Sequence, residues 1–428
     1  MAATFDHVTR YSVEARCITP LRSGDLSGDV QNVLHRRDGT LFVQGSSLNG
    51  ALRAWLHTSP WSGQEEVLFG TQAQGGTLIL SDAVFEQNAS VVQRPRLRIN
   101  ERTGSALNGA KFDVAHVAAG SVLHFSLTLC TRDDAPAQQD AVERMLSALH
   151  QGEVRLGAQK SNGFGRVSLE VKKQTFDLHQ EKERTAWLDD VPGGSDLTLP
   201  TVQEASGVHF TVEACVDRML VKAGAPIQEK QKGEQRASSY IPHLTENDCP
   251  VVPGSSVKGA VLHRVRQIAD LLHVEQAQLV QAFGSAPDAE EHLPCLFRFE
   301  DAYLEPESRR KITRIRVDRI TGGVIRGGLF AEEPSAGPIT LQITGPTGHP
   351  QACALLLYAL RDLALGLYNL GSGGAVGRGF LHVKRITGSM GPRQFSLEFD
   401  GSGGCELKDG SGLAAEWMNA LGGMTDEA

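Results

Sequence analysis

Apolar and polar residues alternate from Val13 through Ala15 toward Gly24, and again from Val212 through Ala214 toward Gly224, which predicts two strands that each run into a glycine turn. Downstream of each strand, apolar residues recur every three to four positions. Leu48, Leu52, Trp55 and Leu56 form one such stripe and Val257, Val261 and Val265 the other, so a helix is expected at both places. Short apolar runs at Leu78-Ile79-Leu80 and Leu296 to Phe299 read as further strands. The apolar stretches Ala352 to Leu360 and Leu363 to Leu370 read as a long helix, with Arg361 and Asp362 breaking a run too short to span a membrane.

These elements belong to two copies of one unit. Gly45-Ser46-Ser47-Leu48-Asn49-Gly50-Ala51 matches Gly254-Ser255-Ser256-Val257-Lys258-Gly259-Ala260, and Ser81-Asp82-Ala83 matches Glu300-Asp301-Ala302. Arg96-Leu97-Arg98-Ile99 with Thr103-Gly104 matches Arg314-Ile315-Arg316-Val317 with Thr321-Gly322. Last come two glycine loops, in which Gly157, Gly163 and Gly165 align with Gly371, Gly377 and Gly379, and Gly373 adds a further glycine to the second loop. From the Gly-Ser-Ser box onward the blocks recur in one order at offsets from 209 to 219 residues, which identifies a duplication. The expected division is residues 1–172 and 207–400 as the two domains, 173–206 as a charged linker around Pro192-Gly193-Gly194-Ser195, and 401–428 as a tail. Within the tail, Leu413 to Leu421 reads as a docking helix or a frayed end. In each copy the order is strand, long loop, helix, strand, loop, strand, helix, glycine loop, strand. That order predicts an α+β fold of the ferredoxin-like type, an antiparallel sheet with helices on one face.

Composition narrows the function. Seven scattered cysteines without a Cys-x-x-Cys pair, and 14 histidines without a His-Glu-x-x-His pattern, argue for reduced thiols and against a zinc site. No basic and apolar leader opens the sequence, so a cytoplasmic protein with no membrane segment is expected. A formal net charge of −8 opposes nucleic-acid binding by the molecule as a whole, and any such binding must rest on local basic patches.

Three features offer such patches. The two Gly-Ser-Ser boxes combine a glycine turn with serines suited to cap a helix, which makes either an anion site or simply a capped helix. They are not nucleotide P-loops, because the Gly-x-x-x-x-Gly-Lys-Ser/Thr order is missing. Arg94, Arg96, Arg98 and Arg102, and then Arg314, Arg316, Arg319 and Arg326, sit on alternating segments that end near Phe112 and Phe330. Alternate arginines on a strand share a face, so each set reads as a phosphate-tracking stripe or as a solvated edge strand. The glycine loops permit positive φ and expose amides, which suits a phosphate cradle or a tight helix-to-strand turn. Catalytic chemistry is most visible in the loop Gly24 to Gly39, where Asp25, Asp29 and Asp38 stand beside His35, Arg36 and Arg37. Its aspartates suit a hydrated metal or a proton transfer from a ribose hydroxyl, and equally a turn. In the second copy the position aligned with Asp29 is Ser238.

With these blocks in this order, the chain resembles the RAMP superfamily, specifically the backbone subunits of type III CRISPR effector complexes, two of them fused. The resemblance implies a modified RNA-recognition fold with thumb-like hairpins, here Arg96 to Phe112 and Arg314 to Phe330, stacked along a guide RNA. It implies that each thumb kinks the duplex between guide and target, and that an aspartate in the loop before the box cuts the target RNA. Asp29 is the best match for that aspartate and for a metal ligand, with Asp25 in reserve; the implied cofactor is Mg²⁺ or Mn²⁺, with no organic cofactor. The implied partners are CRISPR guide RNA, target RNA, other backbone subunits and the large polymerase-like subunit. RNA contacts are expected at Ser46, Ser47, Asn49, Arg53, Arg96, Arg98, Arg102, Lys160 and Arg166 in the first copy. Ser255, Ser256, Lys258, Arg314, Arg316, Arg319, Arg326 and Arg378 are their counterparts in the second. The sequence departs from the family pattern at Gln44, where a proline is usual, at Asn49 in place of lysine, and at Ser238 in place of the aspartate.

Overall fold

The computed structural model describes residues 5–24, 33–100, 106–200, 207–229, 238–285, 291–305, 307–401 and 403–422. The chain forms two compact units. One comprises Met1–Arg96, Phe112–Lys160 and Phe164–Ala205; the other comprises Leu97–Lys111, Ser161–Gly163 and Ser206–Ala428.

In the first unit the lead strand His7–Cys17 lies between the strands Val122–Thr131 and Val167–Asp177, antiparallel to both, with His7 opposite Thr131 and Cys17 opposite Val167. Tyr11, Val13, Ala15 and Cys17 alternate with more exposed residues and are buried, as the sequence period requires. They share one core with Leu48, Leu52 and Leu56 of the helix Gly45–Thr58 and with Val142, Met145 and Leu149 of the helix Pro136–Gln151. The short strands Phe42–Val43 and Ala83–Phe85 extend one edge of the sheet and Ser195–Asp196 the other.

The second unit repeats the plan. Its lead strand Val208–Met219 lies between Ser335–Gly345 and His382–Met390, again antiparallel. The helices Gly254–Leu271 and Pro350–Ala364 contribute Val257, Val261, Val265, Leu356 and Leu360 to a core with Phe210, Val212 and Ala214. Both units are therefore α+β and ferredoxin-like, as expected. Two β-hairpins are also present. Val91–Ile99 pairs with Ala106–Val117, and Ile312–Val317 pairs with Val324–Glu333, the second hairpin joined by Ser238–Pro242, which runs parallel to Val324–Glu333. Among the described residues no helix is long and apolar enough to cross a membrane.

Two sequence expectations are corrected. The stretch expected to be a linker is largely folded onto the first unit: Val167–Asp177 continues through Lys173 as a central strand, and Glu181–Leu188 is a helix. Its charge misled, because Lys173 spans out to Glu143 at 2.8 Å while Phe176 is buried against Trp187, on which Arg10 stacks. In the tail, the docking alternative holds: Leu413–Gly422 is a helix with Leu413, Ala414 and Trp417 buried. Trp417 is 1% exposed and lies between Phe210 and Phe395, so the tail completes the second core. Trp417→Ala should lower the stability of the second unit by about 3–5 kcal/mol in a denaturant melt; a loss under about 1 kcal/mol would mean that the helix is dispensable.

Candidate nucleic-acid interface

The box helices begin at Gly45 and Gly254, not at a serine. Gln44 and Pro253 occupy the N-cap positions in extended conformation and neither makes a side-chain cap. The capping carboxylates come from another block: Asp82 Oδ1 accepts from the Gly45 amide at 2.9 Å, and Asp301 Oδ1 from the Gly254 amide at 2.7 Å. A carboxylate on an N-terminal amide also meets the positive end of the helix dipole. The simple anion-site reading of the box is thereby corrected, since the leading amide is already engaged. Glycine is required at Gly254 because a Cβ there would overlap the Phe299 carbonyl oxygen.

Around the first box lies a shallow cavity of about 450 Å³ lined by Phe42, Gln44, Gly45, Ser46, Asn49, Leu80 and Asp82. Ser46 and Ser47 are exposed and Asn49 is half-buried, while Ser255, Ser256 and Lys258 in the second box are half-buried. Arg53 bonds Glu65 at 2.8 Å, and His57 holds the other oxygen of the same carboxylate at 2.7 Å. Hydrogen bonds from Arg53, then His57, keep Glu65 below the usual carboxylate range. Asp82 also receives Arg36 at 3.3 Å. Asp25, Asp29 and Arg102 lie outside the described residues. Ser238 opens a strand whose backbone pairs with Glu229.

The arginine stripes are only partly stripes. Arg94 is 2% exposed, and it and Arg96 stack on Phe164 of the first glycine loop at 5.1 and 6.0 Å, with Arg96 also bonding Gln159 at 2.8 Å. These two brace the loop; Arg98 is exposed. In the second hairpin Arg314 and Arg316 flank Phe330, each at 5.7 Å, and Arg316, Arg319 and Arg326 are exposed. Its tip is fixed by Asp318, whose carboxylate accepts from the amides of Ile320 and Thr321 and so sits below the usual range. That leaves Arg319 and Ile320, the latter 95% exposed, at the apex.

The glycine loops are not open amide cradles. All seven named glycines have positive φ, yet the amides of Gly165 and Ala158 donate to the carbonyls of Pro20 and Arg22 at 2.8 Å each. In the second loop Gly379 and Ser372 donate to Arg218 and Leu220 at 2.8 and 2.7 Å. The turn reading holds: the loops clamp the exit of the lead strand. Lys160 is exposed and Arg166 half-buried, its stem lying against Gly152. Arg378 is corrected outright as an RNA contact, because it is 3% exposed and bonds Glu332 at 2.6 Å.

Sequence reasoning passed over Glu332. It is 2% exposed and gathers Arg378, Lys222 at 2.8 Å and Arg314 at 3.5 Å. Burial pushes its carboxyl up, but the hydrogen bonds from Lys222 and Arg378 outweigh this and hold it below the ordinary glutamate range. The only hint in the sequence was an acidic residue on a basic hairpin. A depressed carboxylate contributes stability above its unfolded pKa, about 4.3, and that contribution is lost as pH falls through the lower folded value. Thermal melts from pH 7 to 3 should therefore show wild type losing stability below about pH 4.3 and Glu332→Gln with a flatter acid limb. At pH 7 the same variant should be about 3–5 kcal/mol less stable, since it strands the buried Arg378. Superimposable acid limbs would contradict the assignment.

No curated protein matches the chain. The family model for the RAMP superfamily does, twice, over residues 14–168 and 226–382. Those two stretches cover most of the chain and fall one on each copy of the repeated fold. The chain therefore belongs to the RAMP superfamily of CRISPR-associated, RNA-binding proteins, and carries two such domains in one polypeptide.

Proposed function

We propose that the chain is a backbone subunit of a type III CRISPR effector complex that binds guide RNA along both domains and cuts complementary target RNA with the first. The observation that carries this reading is the doubled family match on one chain, with an aspartate, Asp29, at the loop position where the second copy has Ser238. Exposed groups that suit RNA phosphates are distributed over both copies: Ser46, Ser47, Arg98 and Lys160 in the first, Arg316, Arg319 and Arg326 in the second. The proposed partners are guide RNA, target RNA, neighbouring backbone subunits and the large polymerase-like subunit.

For the cut, Asp29 is the proposed active carboxylate and Asp25 the reserve. Among the described residues no group of three His, Cys, Asp or Glu is placed to hold a metal, and Asp82 is engaged by Gly45 and Arg36. A Mg²⁺ or Mn²⁺ ion would be held by Asp29 together with RNA oxygens and water, the hard oxygen donors such ions take. When bound it would supply charge stabilisation at the scissile phosphate. The protein's own part is to hold the target in line for attack by the ribose 2′-hydroxyl, a positioning task. Ser238, with no carboxylate, leaves the second domain to bind.

With labelled target RNA, assembled complex and Mg²⁺, Asp29→Ala should slow the cut of the first domain roughly a hundredfold or more, with target binding intact and Ser238→Ala without effect. Loss with Asp25→Ala alone would move the role to that residue. Undiminished cuts with both variants would favour a purely structural subunit.

A further inference from the structure

Arg22 is the one part of the first clamp that the fold does not explain. It is 6% exposed, and its Nε is buried without a hydrogen-bond partner. No carboxylate among the described residues forms an ion pair with it. Burying a guanidinium without a counter-charge is unfavourable, and desolvation pulls its pKa below the ordinary arginine range. Gly24 beside it has no side chain to cover the group, since a Cβ there would lie 3.7 Å from Nη2.

The second copy supplies an internal control. Ala158 donates to the Arg22 carbonyl at 2.8 Å just as Ser372 donates to the Leu220 carbonyl at 2.7 Å, so Arg22 and Leu220 are equivalent. Leu220 is fully buried. The clamp uses only the backbone at this position, and a leucine satisfies it at no electrostatic cost. The domain with Asp25 and Asp29 keeps an arginine there, two residues before the stretch that contains them.

We propose that Arg22 binds a phosphate of the RNA held by the first domain, at the root of the loop that bears Asp25 and Asp29. The proposal rests on the RNA-binding reading above and adds a residue that the sequence motifs did not point to. A planar guanidinium can match two phosphate oxygens at once, and the anion would supply a counter-charge that no carboxylate among the described residues gives.

The test uses the full chain and a labelled oligoribonucleotide, with binding measured over a series of salt concentrations. Arg22→Leu, the residue the second copy uses, should weaken binding about tenfold or more and reduce the salt slope by about 0.7, one phosphate contact on a single strand. Its melting temperature should be unchanged or higher. Arg22→Lys should keep the slope while losing part of the affinity. Wild-type affinity and slope in Arg22→Leu would overturn the proposal, as would a marked fall in its melting temperature, which would make Arg22 a structural residue. Absence of RNA binding by the wild type would instead sink the reading of the whole chain, and this proposal with it.

Discussion

Each domain depends on a pair of amide-to-carbonyl hydrogen bonds between its glycine loop and the end of its lead strand. Gly165 and Ala158 reach Pro20 and Arg22, and Gly379 and Ser372 reach Arg218 and Leu220. The loop follows the long helix, so these bonds tie that helix, the central strand and the start of the following loop to one point. Only glycine fits at the closest approach. A Cβ at Gly165 or Gly379 would overlap the carbonyl oxygen of Leu156 or Leu370, and both residues hold positive φ. With the lead strand's exit fixed, the second constraint follows: Asp82 and Asp301 cap the box helices and set where the next chain segment enters.

Given a frame built twice, function is best sought where the copies differ. Leu220 faces the core where Arg22 stands in the first copy, Lys258 replaces Asn49, and Ser238 replaces Asp29. The second hairpin gathers three cations on the buried Glu332, whereas the base of the first spends Arg94 and Arg96 on Phe164. In both hairpins arginine near an aromatic ring stiffens the base. Arg98, Arg316, Arg319 and Arg326 are exposed. A chain with net charge −8 can present basic surface to RNA only where arginines cluster locally.

The sequence made the duplication, the fold class and the core stripes legible, because burial imposes periods that no other constraint mimics: Leu48, Leu52 and Leu56 point inward for the same reason in any helix. It misjudged groups whose roles depend on distant neighbours. Ser46 looked like a cap until Asp82, 37 residues on, took the Gly45 amide. Arg378 looked like a phosphate ligand until Glu332, 46 residues earlier, paired with it. Residues 173–206 looked like a linker because charge was counted without regard to alternation, which buries Phe176. Asp25, Asp29 and Arg102 fall outside the described residues, so their roles still rest on the family pattern.

The central claim is that two equivalent domains share one RNA. The most direct measurement is nuclease footprinting of the guide RNA held in the assembled complex, with the footprint of this chain assigned by crosslinking. Two adjacent protected tracts of similar length, one crosslinked to each domain, are the result this account predicts. A single tract crosslinked to one domain, with the other contacting no RNA, would contradict it.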